Sequence, residues 1–172
     1  MTEVEVRPLR PEDDRRSFRS GDPDLGRFFA KYAGQNQFKH HIGTTYVAVL
    51  DGLIVGFATV SAAAIAVDEL SASLSRRLPR YPLPVLRLAR MAVDTRVQGQ
   101  GLGAQLLKAV FVLALEMAQR VGCIGVVVDA KDKAVDFYKN YGFEPIRLVE
   151  GELGDRPRPL PMFLALGSVP RP

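Results

Sequence analysis

The chain is most tightly constrained where an apolar run, residues 85–93, meets three glycines, Gly99, Gly101 and Gly103, and then a long helical pattern, Leu102–Arg120. The apolar run reads as a strand. Leu102, Leu106, Val110 and Leu113 recur at helical spacing and read as one buried face. Glycines at a strand-to-helix junction let the backbone approach a ligand closely and take conformations closed to other residues. The first N–H groups of a helix lack internal partners and carry the positive end of its dipole, so the turn suits a pyrophosphate. Gly99, Gly101 and Ala104 also satisfy a G-x-G-x-x-G/A dinucleotide fingerprint, and Asp129 ends the next strand. A dinucleotide fold needs further strand–helix units, however, and only about 40 residues follow Asp129. No lysine stands in a G-K-[ST] context, which excludes a P-loop.

The surroundings of this junction set the fold class. Val4 and Val6 alternate with charged residues and predict a first strand ending at Pro8. Asp22-Pro23 supplies an N-cap and a proline at the first helical position, and Leu25, Phe28, Phe29 and Tyr32 extend a helix to about Gly34. Thr44–Leu50 and residues 53–61 are β-rich and flank Asp51-Gly52, a strong hairpin turn. A less regular stretch holding Pro79, Pro82 and Pro84 leads to the central strand. After the long helix come a strand at 123–128, an amphipathic helix at 131–141 capped by Gly142, and a last strand at 160–166. An antiparallel first half followed by a strand–turn–helix–strand unit calls for a mixed α/β (α+β) sheet with helices on its faces. No repeat or linker interrupts it, so residues 1–166 read as one domain and 167–172 as a loose, flexible tail. Arg156 to Pro159 reads as a surface loop ahead of the last strand.

Composition narrows the function classes. Of 172 residues, 47% are hydrophobic and 24% charged, which suits a core-forming chain rather than a disordered one. No contiguous apolar run approaches the ~20 residues of a membrane span, and the N-terminus lacks a secretory pattern. Single Cys123 excludes an internal disulfide, fits a reducing cytoplasm and reads as core. His40 and His41 are adjacent, project differently and have no third ligand in view, so no metal site is expected. The net charge of +4 is unevenly spread: six arginines and a single acid, Asp94, lie between Arg76 and Arg96, and Lys31, Lys39, His40 and His41 form an earlier basic group.

Residues 90–94, Arg-Met-Ala-Val-Asp, followed by Gln98-x-x-Gly101-x-Gly103, resemble the acetyl-CoA motif (Q/R)-x-x-G-x-(G/A) of the GNAT superfamily of N-acetyltransferases. Asp129-Ala130 and then Phe137-Tyr138-x-x-Tyr141-Gly142-Phe143 are similar to that family's next strand and helix end. The resemblance implies a GNAT fold with a splay between its two central strands that admits the pantetheine arm. It implies that Met91, Ala92 and Val93 pair with that arm and that Gln98, Gly99, Gln100, Gly101, Leu102, Gly103 and Ala104 hold the pyrophosphate, with Asp129 and Phe137 also on the cofactor side. A narrower resemblance rests on Phe18-x-Ser20-Gly21-x-x-x-Leu25-x-x-Phe28, Thr44-Thr45-Tyr46-Val47, Ile54-Val55-Gly56-Phe57 and residues 84–94. These are similar to a toxin group that acetylates aminoacyl-tRNA and pairs with ribbon-helix-helix antitoxins. Gly26 and Phe28 depart from that group, where aspartate and tryptophan are common. A homodimer is common there and is allowed here.

Acetyl transfer requires a neutral amine, a polarised thioester and a proton for the departing thiolate. The motif assigns the proton to Tyr138, since a phenol with a pKa of about 10 stays protonated at neutral pH. No Glu or His stands in a motif position as general base. That favours an α-amino group, with a pKa of roughly 7.7–8.0, over lysine near 10.4. Arg87 and Arg90 lie on the central strand with odd spacing and are expected on opposite faces. Arg76, Arg77 and Arg80, in the preceding loop, are placed to meet phosphates. The sequence thus predicts a cytoplasmic acetyl-CoA-dependent enzyme acting on aminoacyl-tRNA. The alternatives are a GNAT enzyme for a small amine, peptide N-terminus or lysine, and a non-catalytic acetyl-CoA sensor.

Overall fold

The computed structural model describes residues 4–146 and 159–171. Its strands are β1 (Glu5–Pro8), β2 (Thr44–Leu50), β3 (Leu53–Ile65), β4 (Leu83–Val93), β5 (Gly125–Ala130), β6 (Glu144–Pro145) and β7 (Leu160–Ala165). They form a seven-stranded sheet in the order β1-β2-β3-β4-β5-β7-β6, mostly antiparallel, as the pattern predicts. The helices are α1 (Pro23–Arg27), α2 (Ala72–Ser75), α3 (Leu102–Arg120) and α4 (Val135–Asn140). Packing divides the chain into two compact units, residues 1–61 with 88–112 and residues 62–87 with 113–172.

In the first unit β1 and β3 flank β2 in antiparallel register, Glu5 opposite Val49 and Val47 opposite Phe57. The β2–β3 turn places Asp51 at φ 50° and Gly52 at φ 77°, the paired positive values of a type I′ hairpin. Phe57, on β3, stacks on Phe29 at 4.5 Å, and Phe18 meets both rings edge-on at 5.1 and 5.5 Å. The Asp22 carboxylate caps α1 by accepting from the Asp24 and Leu25 N–H groups. The helical path does not stop near Gly34. It continues through two π turns, Phe28–Tyr32 and Gln35–Lys39. Polar residues 35–37 look like an exit in sequence, but the Gln37 side chain bonds the Leu9 carbonyl at 3.1 Å and the Thr45 N–H at 2.8 Å. That bridge anchors the segment. Phe28 is a core residue, and Gly26 faces open space, so both departures from the toxin pattern are accommodated locally.

In the second unit β7 pairs antiparallel with β5 on one side and β6 on the other. Ile65, Leu70, Leu83, Val85, Val127 and Phe163 make its core. Cys123 is buried, with Sγ donating to the Gly125 carbonyl at 3.2 Å. Several boundaries differ from expectation. β3 runs to Ile65, β5 is shifted to Gly125–Ala130, α2 lies in the stretch read as irregular, and a 3-10 turn (Asp132–Ala134) precedes α4. Residues 166–168 form a 3-10 turn and Val169 is buried, so the segment read as a loose tail packs at least this far. Arg156 to Arg158 lie outside the described residues.

Helix α3 corrects the membrane argument from contiguous runs. Its best window has a mean hydropathy of 1.4, long and apolar enough by length and composition to cross a bilayer. Leu102, Leu106, Leu107, Val110, Phe111 and Ala114 are buried, and a Cβ on Gly56 of β3 would lie 3.0 Å from Leu106. Glycine at 56 permits that close approach, as for the core helix of a folded domain.

Candidate active site

The turn between β4 and α3 is built around a carboxylate. Asp94 is fully buried and accepts from the Arg96 side chain at 2.8 and 2.9 Å, the Arg96 N–H at 3.0 Å and the Arg19 N–H at 3.1 Å. The Arg96 guanidinium, reinforced by these amides, holds the Asp94 carboxyl down at about 2 despite its burial. Two further links tie the same strand-to-helix turn to the entry of α1. Thr95 donates its N–H to the Arg19 carbonyl at 2.8 Å, and Gln98 Nε2 donates to the Ser20 and Val93 carbonyls at 3.0 and 2.9 Å. Asp94 was missed in the sequence as a site-building residue. Its signal is the Asp-x-Arg step at a strand end, where an aspartate bonds the backbone two residues on.

Beyond this clasp, Gly99 and Gly101 take φ values of +80° and +82°, and nothing lies within 4 Å of the side where a Cβ would project. The conformation, not crowding, demands glycine. Gln98, Gly99, Gln100 and Gly101 are exposed, Gly103 and Ala104 are half-buried, and Leu102 anchors the first turn in the core. The Gln105 N–H reaches the Gly101 carbonyl at 3.2 Å, so α3 starts here and its first amides have no intrahelical acceptor. An open, exposed rim of amides at the positive end of a 19-residue helix fits a pyrophosphate. Met91 and Val93 are half-buried at the end of β4, and Ala92 is buried in the aromatic core.

Arg90 and Arg87 have different partners. Arg90 places its guanidinium 4.0 Å above the Phe28 ring, a cation–π contact. Arg87 is the one that forms an ion pair, with Asp129 at 2.5 Å. Asp129 is therefore engaged by a β4 arginine. Both residues line a cleft in the second unit, together with Glu69 and apolar residues of β3, β4 and β5. Arg76, Arg77 and Arg80 are exposed on the connection that carries α2.

Tyr138 sits on α4 with 4% of its surface exposed, edge-on to Phe137 at 5.2 Å and to Phe143 at 5.4 Å. Burial pushes its hydroxyl pKa well above the ordinary value. Among the described residues no buried side-chain polar atom lacks a hydrogen-bond partner, and none is found for this hydroxyl. The ring is packed by the two aromatic neighbours that flank it in sequence and space. Among the described residues, no three His, Cys, Asp or Glu side chains gather as metal ligands.

An open amide turn after a central strand, joined to a mixed seven-stranded sheet, defines a class that comparison with known proteins names. The family model for the acetyltransferase (GNAT) domain matches residues 41–145. The chain belongs to the GNAT acetyltransferases, enzymes whose acetyl donor is acetyl-CoA. The tRNA-acetylating toxin of Mycobacterium tuberculosis is 33% identical over 139 residues, covering 80% of this chain and 82% of its own. Among solved structures, AtaT complexed with acetyl-methionyl-tRNAfMet superposes with a TM-score of 0.82 at 24% identity, covering 97% of each chain. AtaTR bound with acetyl-CoA gives a TM-score of 0.76 at 25% identity, covering 96% of this chain and 95% of that one.

Proposed function

We propose that this chain acetylates the α-amino group of aminoacyl-tRNA and acts as a toxin that blocks translation in the cytoplasm. The observation that carries the reading is the 33% identity, over most of both chains, to a toxin that acetylates tRNA. The exposed arginines 76, 77 and 80 suit a phosphate backbone. Residues 1–166 act as one functional domain in this reading. A ribbon-helix-helix antitoxin and a second copy of the chain are its expected protein partners.

Acetyl-CoA supplies the activated acetyl thioester. The amides from Gln98 to Ala104 hold its pyrophosphate, and the strand end at Met91 to Val93 orients the arm. Asp129 and Phe137 complete the cofactor side, with Asp129 fixed by Arg87. The α-amine of an aminoacyl ester is substantially neutral near pH 8 and needs no strong base. Tyr138 donates its hydroxyl proton to the departing sulfur. Its raised pKa makes it a constant proton carrier across the physiological range, at some cost in acidity.

The direct test is transfer of radiolabelled acetyl groups into purified aminoacyl-tRNA, with Tyr138→Phe as control. Label in the aminoacyl fraction, cut by about 10²–10⁴-fold in the variant while acetyl-CoA binding persists, supports both the substrate and the proton donor. Unlabelled tRNA with intact acetyl-CoA binding would sink the tRNA reading and direct attention to small amines and peptide N-termini.

A further inference from the structure

The pyrophosphate turn is held from outside its own strand and helix. Residues 18–22 run alongside it in the first unit, ahead of position 41, where the match to the GNAT domain begins. Phe18 seats this segment in the core against Phe29 and Phe57. Both backbone groups of Arg19 engage the turn, the N–H on Asp94 and the carbonyl on the Thr95 N–H. The Ser20 hydroxyl fixes the next bend, accepting from the Asp22 N–H at 3.1 Å and donating to the Asp22 carbonyl at 3.3 Å. Gly21 takes φ +87°, and a Cβ there would lie 3.5 Å from the Thr95 methyl.

Gln98 completes the joint from the other side. It is the last residue before Gly99 and Gly101, which have no atom within 4 Å of their Cβ positions to restrain them. A glutamine amide carries two N–H donors. Here the Ser20 carbonyl takes one at 3.0 Å and the Val93 carbonyl the other at 2.9 Å. That nitrogen has no donor left for a phosphate. We propose that residues 19–20 are a cofactor-positioning element, and that the Gln98 side chain is the positioning group tying the phosphate-binding amides to it. Held in this way, the amides are ordered before acetyl-CoA arrives, and binding does not have to fix the turn. The proposal rests on the reading that the amides from Gln98 to Ala104 hold the pyrophosphate, and it adds the part of the chain that keeps them in place.

The experiment measures acetyl-CoA dissociation constants by calorimetry for the full chain, Gln98→Met, Ser20→Ala, the double variant and Gly101→Ala. Methionine is uncharged and close to glutamine in length, so it removes the donors without changing the charge near the phosphates. Kd should rise on the order of fivefold to tenfold in Gln98→Met and about threefold in Ser20→Ala. The double variant should be no weaker than Gln98→Met, because both changes act through one joint. In steady-state kinetics the loss should appear in KM for acetyl-CoA with kcat held within about twofold. Additive effects would mean that Gln98 touches the cofactor directly, and an unchanged Kd in Gln98→Met would mean that the joint is idle. Either result overturns the proposal, and a weakened Gly101→Ala beside it leaves the amide reading standing. An unchanged Kd in all four variants would overturn both.

Discussion

Asp94 shows how much a single buried carboxylate can organise. Its pKa near 2, against an ordinary value near 3.8, means that the folded state favours the charged form. The sign follows from linkage: this stabilisation is complete above about pH 4 and is lost as pH falls through about 2. The difference is worth on the order of 2 kcal/mol. Urea titrations should therefore show wild-type stability dropping by about that much across the window. In Asp94→Asn the corresponding loss should already be present at pH 7, and the acid-dependent drop should be smaller. Tyr138 has the opposite consequence for activity. With its pKa raised, it does not ionise below pH 10. The rate should climb with pH as the substrate amine loses its proton near 8 and then hold level. A descending limb centred near pH 9 in kcat, at saturating substrate, would rule out Tyr138 as the sole proton donor.

Elements were legible where their signals are local. The Asp51-Gly52 turn carries its own geometry, and the bounds of α3 follow from helical spacing and flanking glycines. The positive φ of Gly101 makes a specific prediction. Gly101→Ala should cost roughly 1–2 kcal/mol for the left-handed conformation, seen as weakened acetyl-CoA binding in calorimetry or as a lower melting temperature. The elements that escaped sequence reading depend on distant partners. Residues 62–64 are alanines with little preference for strand, and β3 reaches Ile65 because that side chain joins the core with Val127 and Phe163. β6 is only two residues long and exists through pairing with Met162 and Phe163. The candidate site divides the same way. Its glycine turn and tyrosine sit in contiguous motifs, whereas the Arg87–Asp129 pair joins residues 42 apart and the Asp94–Arg19 link residues 75 apart. The stacked Phe29–Phe57 pair that seats the α1 segment is also long-range, and Phe29→Ala should cost about 3–5 kcal/mol in a denaturant titration.

At the scale of the whole molecule, the proposed substrate makes ionic strength a probe. If Arg76, Arg77 and Arg80 each meet one phosphate, replacing all three with alanine should reduce the slope of log K against log salt by about 2, measured by filter binding. A weaker complex with an unchanged slope would place the phosphate contacts elsewhere. The sheet order carries a separate consequence for the life of the chain. β7 is the last of these seven strands to leave the ribosome, yet it lies between β5 and β6, both made earlier. Until it emerges, those two strands have no shared neighbour to join them. A nascent chain stalled before residue 160 leaves this end of the sheet unassembled, so interrupted synthesis yields a chain whose sheet stops at β5.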